Sequence, residues 1–436
     1  MRRVTSHHRH PAVAAVSRDD MKQGDLHRTV LPNGLTVLSE HMPGVRSVSF
    51  GAWVRAASLH ERREKMGISH LLEHMVFKGT DRRTAHEIAL SLEALGGSLD
   101  AYTSREHTVY QGRVLDEHLH EAADVIGDIV FRPTLRESDL ALERKVILEE
   151  IAMVDDTPDD LVFELHNELL WGDHPYGYSI LGTRETVKSL GTSDLRELHA
   201  RAYHPGQLIV AASGNVQHDR LIDVLERTGW LSIDAGDNAR LSSRPPATRP
   251  PVVKHVNRDG AQTHIVAGAE AVAHGDPRRF PMLLLSMLLG GGMSSRLFQR
   301  VREELGLAYA VYTYQSFHAD AGMHGVYVAT APDTASAALD AIRTELRSVI
   351  RDGLPADEIA MGRQQLKGQI TLSLESVSSR MYRAASVELY GEPYRTLDDL
   401  LALIDGITDE DVARSAEEFF DPDRMSILSL GPKGAD

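Results

Sequence analysis

The sequence predicts an α+β protein made of two homologous halves, each a mainly antiparallel sheet with helices packed on it. Three observations carry that expectation. First, the chain repeats itself at an offset of 210 to 219 residues, the kind of internal similarity that marks duplicated architecture. Second, "DNARLSSRPPATRPP" (237–251) is rich in proline and small polar residues and reads as a linker. Third, strand-like and helix-like runs intermingle without the regular alternation of a doubly wound parallel sheet.

The repeat is legible in four places. "FRPTLRESDLALERKVILEEI" (131–151) resembles "RDGLPADEIAMGRQQLKGQI" (351–370), pairing Ile151 with Ile370. "WGDHPY" (171–176) resembles "YGEPY" (390–394). "LRELHARAYHPGQLIVAASGN" (195–215) matches "VARSAEEFFDPDRMSILSLGP" (412–432), pairing Pro205 with Pro422 and Gly214 with Gly431. "GGSLDAYTS" (96–104) is echoed by "GLAYAVYTY" (306–314). The expected organisation is a flexible tail over 1–24, a first half over 25–236, the linker over 237–251 and a second half over 252–436.

Taken in order, residues 48–54 alternate, with Val48, Phe50, Ala52 and Val54 on one side, as a half-buried strand does. Residues 263–269 hold the corresponding place in the second half. "AHEIALSLEALGG" (85–97) reads as a helix with a glycine stop. Segments 117–131 and 335–350 are amphipathic helices.

Bulk properties narrow the function. The formal charge of −16 and the lack of basic patches interleaved with aromatics exclude a nucleic-acid binder. No cysteine is present, which removes disulfides and thiolate ligands and suits a reducing compartment, with a cytoplasmic location expected. No apolar run is long enough to span a bilayer, and the first residues lack the apolar core of a secretory signal. His7, His8 and His10 fall in the tail, where a solvated segment is the expected reading.

The chemistry concentrates in "GISHLLEHMVFKGT" (67–80). Ile68, Leu71, Leu72 and Met75 form one helical face, and His70, Glu73, His74 and Phe77 form a second. Histidines at i and i+4 stand side by side, within reach of one tetrahedral zinc, and Glu73 can reach a water there. A solvated polar face has the same spacing. On "SDLALERKVILEEI" (138–151), Glu143, Val146, Ile147 and Glu150 share a face, while Glu149 points about 100° away toward solvent. Spacing alone fits a charged surface as well as a metal-binding face. The second half separates the two readings: Gly362 and Gln369 stand at the places of Glu143 and Glu150, and "PMLLLSMLLGGG" (281–292) has neither histidine nor acid. Residues required for packing would recur in both copies, so a single metal site in the first half is favoured.

His-x-x-Glu-His is the inverted zincin motif. With "NGLTVLSEHMPGVRSVSFGAWVRAASLHERREKMGISHLLEHMVFKGT" (33–80) and "ERKVILEEI" downstream, the chain resembles the pitrilysin, insulinase and mitochondrial processing peptidase family over nearly all of 27–433, in its short-chain branch. The resemblance implies a zinc endopeptidase whose halves face each other as a clamp, with one Zn2+ per chain. His70, His74 and Glu150 take the places of the metal ligands, Glu73 that of the general base, and Glu143 that of a supporting acid. Arg302 and Tyr309, in "RVREELGLAYAV" (300–311), match residues that face the substrate near the zinc. Residues 96–112 resemble the edge strand that receives the peptide, with Asp100 where asparagine is usual, and Gly290–Gly292 a loop governing access.

The implied mechanism has a water whose pKa the metal lowers toward ~7. Glu73 takes its proton and returns one to the leaving amine. Tyr309 and Arg302 assist at the oxyanion. The expected partners are a peptide substrate, cationic if the negative charge lines the chamber, and a second subunit, identical or paralogous. The alternative is a non-catalytic or partner-dependent subunit of a processing-peptidase-like complex.

Overall fold

The computed structural model describes residues 19–23, 26–236, 241 and 244–432, the first five as backbone only. His7, His8 and His10 lie outside the described residues, as do 237–240 and 242–243 of the expected linker. The first half carries strands β1 (Asp19–Gln23), β2 (Leu26–Val30), β3 (Thr36–His41), β4 (Ser47–Val54), β5 (Ser98–Thr103), β6 (Thr108–Leu115) and β7 (Leu208–Gly214). Its helices are α1 (Ile68–Val76), α2 (Ala85–Glu93), α3 (Leu119–Phe131), α4 (Glu137–Asp156), α5 (Pro158–Trp171), α6 (Arg184–Ser189), α7 (Thr192–Ala202) and α8 (His218–Arg227). The second half carries β8 (Val253–Asn257), β9 (Thr263–Ala271), β10 (Ala308–Phe317), β11 (Gly322–Thr330) and β12 (Ser426–Gly431). Its helices are α9 (Arg279–Gly290), α10 (Ala335–Asp352), α11 (Ala356–Ser373), α12 (Val377–Tyr390), α13 (Leu397–Asp405) and α14 (Asp409–Phe419).

The first sheet runs β1-β2-β3-β7-β4-β6-β5 and the second β8-β12-β9-β11-β10. Strand for strand, the second repeats β3-β7-β4-β6-β5. Each sheet is antiparallel except at one pair, β3 with β7 and β8 with β12. The repeat sets the details. Pro205 and Pro422 each open a short 3-10 turn before β7 and β12, and Gly214 and Gly431 end those strands. A Cβ on Gly214 would lie 2.2 Å from the Ser47 carbonyl oxygen, and one on Gly431 would lie 2.8 Å from that of Gln262, so both places are closed to larger residues. β1 pairs with β2, so the sheet reaches into residues read from sequence as tail; its polar "DDMKQ" carries no apolar alternation to reveal it.

Both faces of each sheet are covered. On the first sheet Val48, Phe50, Ala52 and Val54 point into the large core beneath α1, α3, α7 and α8. On the opposite face Leu38, Trp53, Val109, Ile209 and Ala211 meet Met381, Ala384 and Ala385 of α12, a helix from the second half. The second sheet mirrors this. Ile265, Ala267, Val326, Val328 and Ile427 face its own helices, while Val266, Tyr327, Ala329, Leu428 and Leu430 meet Val162, Phe163, Leu165 and Leu169 of α5, a helix from the first half. Each half therefore lends one helix to the other's sheet. Ion pairs fasten α12: Arg380 to the fully buried Glu40, and Glu388 to Arg28 and Arg55 at 2.7 and 3.2 Å. On the other side Gly268 leaves room for the His166 ring of α5, which a Cβ there would approach to 2.8 Å.

Candidate metal centre

Helix α1 begins at Gly67, whose φ of +89° suits glycine. Its free N–H groups are satisfied from the preceding loop: the buried Glu61 carboxylate accepts from Gly67 N and Ser69 N, each at 2.8 Å, also complementing the positive end of the helix dipole. The loop after α5 lies directly over this start, since a Cβ on Gly182 would meet the Met66 carbonyl oxygen at 2.4 Å. Leu71, Leu72 and Met75 are fully buried, so the opposite face, with His70, Glu73 and His74, is aimed at α4 and β5.

There it meets Glu150. The ligand atoms of His70, His74 and Glu150 all lie within 4.8 Å of one another. Glu150 Oε2 is 3.8 Å from His70 Nε2, and Oε1 is 3.6 Å from His74 Nε2. Those separations are too long for hydrogen bonds. They approach the ~3.4 Å expected between donors sharing a tetrahedral zinc with bonds of about 2.0–2.1 Å. Glu150 Oε2 is buried with no hydrogen-bond partner among the described residues, a costly arrangement that a cation would relieve. Burial, helped by the neighbouring His74, lowers the His70 pKa to about 3, so its imidazole is neutral and its lone pair available. The donor set, two imidazoles and a carboxylate, fits zinc.

Behind these groups stands Glu143, buried as a supporting acid should be. His74 Nδ1–H donates to Glu143 Oε2 at 3.2 Å, which leaves Nε2 as the ligand atom. Lys78 Nζ holds the other oxygen of Glu143 at 2.8 Å. Glu149, one residue before the ligand, is exposed. Glu73 is 8% exposed. Burial raises its pKa, against the Thr103 hydroxyl, which favours the charged form. Thr103 Oγ1 donates to Glu73 Oε2 at 2.5 Å.

His70 and Glu73 open onto a cleft of about 540 Å³, whose walls include Ala101–Thr103 of β5, Asp160, Phe163 and Glu164 of α5, and Ile180–Leu181. A second cavity of about 370 Å³ shares Val154, Glu164, Ser179 and Leu181 with it. The structure thus brings His70, Glu73, His74, Glu143 and Glu150 together. Among the described residues the wall of the cleft belongs to the first half alone and includes neither Arg302 nor Tyr309. The resemblance sets those two beside the metal, and in the single chain they do not line this cleft. Phe163 of α5 lines it and packs 5.0 Å from the ring of Tyr314 and 5.4 Å from that of Tyr327, joining the second sheet to the first half. The Arg302 guanidinium stacks on Phe298 and on Tyr309, at 4.6 and 4.5 Å, and Tyr309 is 76% exposed. Asp100 stands in β5 between Leu99 and Ala101, which both pack toward α1, so strand alternation turns it to the opposite face.

Thr103, Asp160, Glu164 and Lys78 were not singled out from sequence. A signal existed for three of them: Thr103 follows Leu99 and Ala101 at a period of two, and Asp160 and Glu164 stand one helical turn apart.

Fold and site together define a class, a duplicated α+β fold bearing the inverted His-x-x-Glu-His helix of one group of metallopeptidases. Residues 36–184 match the family model described as insulinase (peptidase family M16), and 189–366 match the peptidase M16 inactive domain. An uncharacterized zinc protease of Streptomyces coelicolor is 39% identical, over 94% of this chain and 90% of its own. Another, from Bacillus subtilis, is 37% identical over 93% and 98%. Among solved structures, a peptidase M16 inactive domain from Pseudomonas fluorescens has the same fold, with a TM-score of 0.88, 20% identity and coverage of 94% of this chain and 98% of that one. A protease from Helicobacter pylori gives 0.86 and 21%, over 93% and 99%. The chain belongs to the insulinase family, peptidase family M16.

Proposed function

We propose that this chain is a zinc-dependent endopeptidase acting on short or unfolded peptides. The observation that carries the reading is the cluster of His70, His74 and Glu150 with Glu73 beside it in an open cleft. The names of the relatives, zinc proteases, support the same metal. Zinc, when bound, supplies a Lewis acid and lowers the pKa of water at its open position. Glu73 Oε1 takes the water's proton and then delivers a proton to the leaving amine. Glu143 and Lys78 hold His74 in the tautomer that presents Nε2. β5 is the outer strand of its sheet, so an extended peptide can add to its free edge, gaining main-chain hydrogen bonds with modest sequence selectivity.

The cleft's acidic groups favour cationic peptides: Glu73, Asp160 and Glu164 line it, and among the described residues no lysine or arginine does. A cytoplasmic setting suits the cysteine-free chain.

We infer further that the active form is a homodimer. Tyr309, with Arg302 against it, is presented outward rather than to this chain's own cleft. Large apolar side chains are exposed at equivalent places on α4 and α11: Leu142 with Met361, and Met153 with Leu372, each pair at the same 219-residue offset as Ile151 and Ile370. Matched apolar rows on duplicated helices are a basis for a self-complementary interface.

The test is cleavage of a defined peptide library by the purified chain, with and without a chelator, beside Glu73→Gln. The reading expects cleavage that the chelator and the substitution both abolish, with zinc retained in the variant. Undiminished cleavage by Glu73→Gln refutes the assigned base. Zinc binding without cleavage of any library member favours a non-catalytic subunit, and activity confined to a dimeric fraction on size exclusion supports the homodimer.

A further inference from the structure

Glu73 has two carboxylate oxygens, and among the described residues only Oε2 is held, by Thr103 Oγ1 at 2.5 Å. Thr103 is the last residue of β5. It is itself fixed from behind. Its register partner on β6 is Thr108, whose hydroxyl donates to the Ala56 carbonyl at 3.1 Å. The turn that follows is closed by Ser104 N donating to the His107 carbonyl at 2.9 Å. Glu106 in that turn is anchored in turn by Tyr176, Tyr390 and Ala319 N. The hydroxyl therefore comes from a rigid point on the wall of the cleft, not from a mobile loop.

We propose that Thr103 is a positioning residue for Glu73: its hydroxyl pins Oε2, which leaves Oε1 as the oxygen turned to the water at the metal. The inference rests on the peptidase reading and goes beyond it. A glutamate's terminal torsion is broad and roughly two-fold, so a carboxylate fixed only by its stem presents its oxygens in many orientations. One short hydrogen bond to an ionised group is strong enough to select among them. Because Thr103 belongs to the strand whose outer edge is free for a peptide, the seat of the substrate and the aim of the base are set from one piece of backbone.

The experiment compares Thr103→Val, which keeps the shape and loses the hydroxyl, with Thr103→Ser, which keeps the hydroxyl and loses the methyl. Thr103→Val is expected to lower kcat by about 10–100-fold, the range for losing an outer-shell partner, with KM within about threefold of the parent and zinc content unchanged. Thr103→Ser is expected to recover most of that loss. A crystal structure of the metal-free Thr103→Val chain is expected to show the Glu73 carboxylate rotated or in more than one orientation. An unchanged kcat, a loss confined to KM, a serine variant as impaired as valine, or an unmoved carboxylate overturns the inference. Should Thr103→Val not fold, Thr103→Ala against Thr103→Ser decides: equal loss in both overturns it, and loss in alanine alone supports it. Failure of the peptidase reading looks different, since the parent chain would then cleave nothing or Glu73→Gln would cleave normally.

Discussion

Tyr176, in the short turn that follows α5, and Tyr390, the last residue of α12, donate their hydroxyls to opposite oxygens of one carboxylate, Glu106, at 2.8 and 3.1 Å. Both tyrosines belong to the repeated "WGDHPY" and "YGEPY" segments. Ala319 N, from the turn between β10 and β11, also donates to Glu106 at 2.8 Å. The duplicated segments thus converge on the turn between β5 and β6, and the halves are pinned here as well as through the ion pairs of α12. Replacing Glu106 by alanine strands two tyrosine hydroxyls and a backbone N–H. We expect a loss of about 2–4 kcal/mol in urea denaturation, and about 1–2 kcal/mol for Tyr390→Phe. Losses below about 0.5 kcal/mol in both would show that the junction is held elsewhere.

The helix exchange predicts that the halves unfold together. Met381 is 1% exposed against the first sheet and Val162 is fully buried against the second. Met381→Ala is expected to cost about 2–5 kcal/mol and Val162→Ala less, by loss of burial and cavity formation. Each should shift one shared transition, seen alike by circular dichroism and by tryptophan fluorescence. Two separated transitions, only one of them moved by each variant, would contradict the interlocked packing.

Acid should weaken the fold through histidines that are buried neutral. Burial lowers the His166 pKa to about 4 and the His324 pKa to about 3. His166 sits on α5 with Nε2–H donating to the Ser426 carbonyl at 3.1 Å, and His324 packs 4.5 Å from the ring of Phe420. Both folded values lie below the unfolded value of about 6.5. Their contribution is therefore in place above pH ~6.5 and is lost as pH falls toward the folded values, at roughly 1.4 kcal/mol per pH unit for each group. Glu61 acts in the opposite sense. Burial pushes it up to about 7, so its contribution is in place below about pH 4.5 and is lost as pH rises through 7. The histidine effect is isolated by His324→Phe, which should show a smaller drop in Tm between pH 7 and pH 5 than the parent. An equal drop would contradict the assignment.

Much of this site was legible before any coordinates, because α1 obeys a strict helical period that sets His70 and His74 on one side and Leu71, Leu72 and Met75 on the other. Glu143 and Glu150 were placed on one face of α4 by the same period, while their roles came from family resemblance. The likeness of the two sheets followed from the repeat, as the glycines at 214 and 431 show, but their strand order did not. The helix exchange did not follow. An apolar stripe such as Val162, Leu165 and Leu169 announces that a face is buried but not which sheet buries it. For the same reason Arg302 and Tyr309 could be matched by motif and not placed in space. Thr103 shares a strand face with Leu99 and Ala101 by its period of two, but a threonine in a strand is ordinary until its hydroxyl is seen beside Glu73.

The central claim is that three side chains from α1 and α4 hold one divalent cation. Elemental analysis of the purified chain beside Glu150→Gln tests it most directly. One zinc per chain is predicted, removed by a chelator with loss of peptide cleavage, and at least tenfold weaker binding in the variant. A parent chain that retains no metal after loading, or a variant that holds zinc as tightly as the parent, would contradict it.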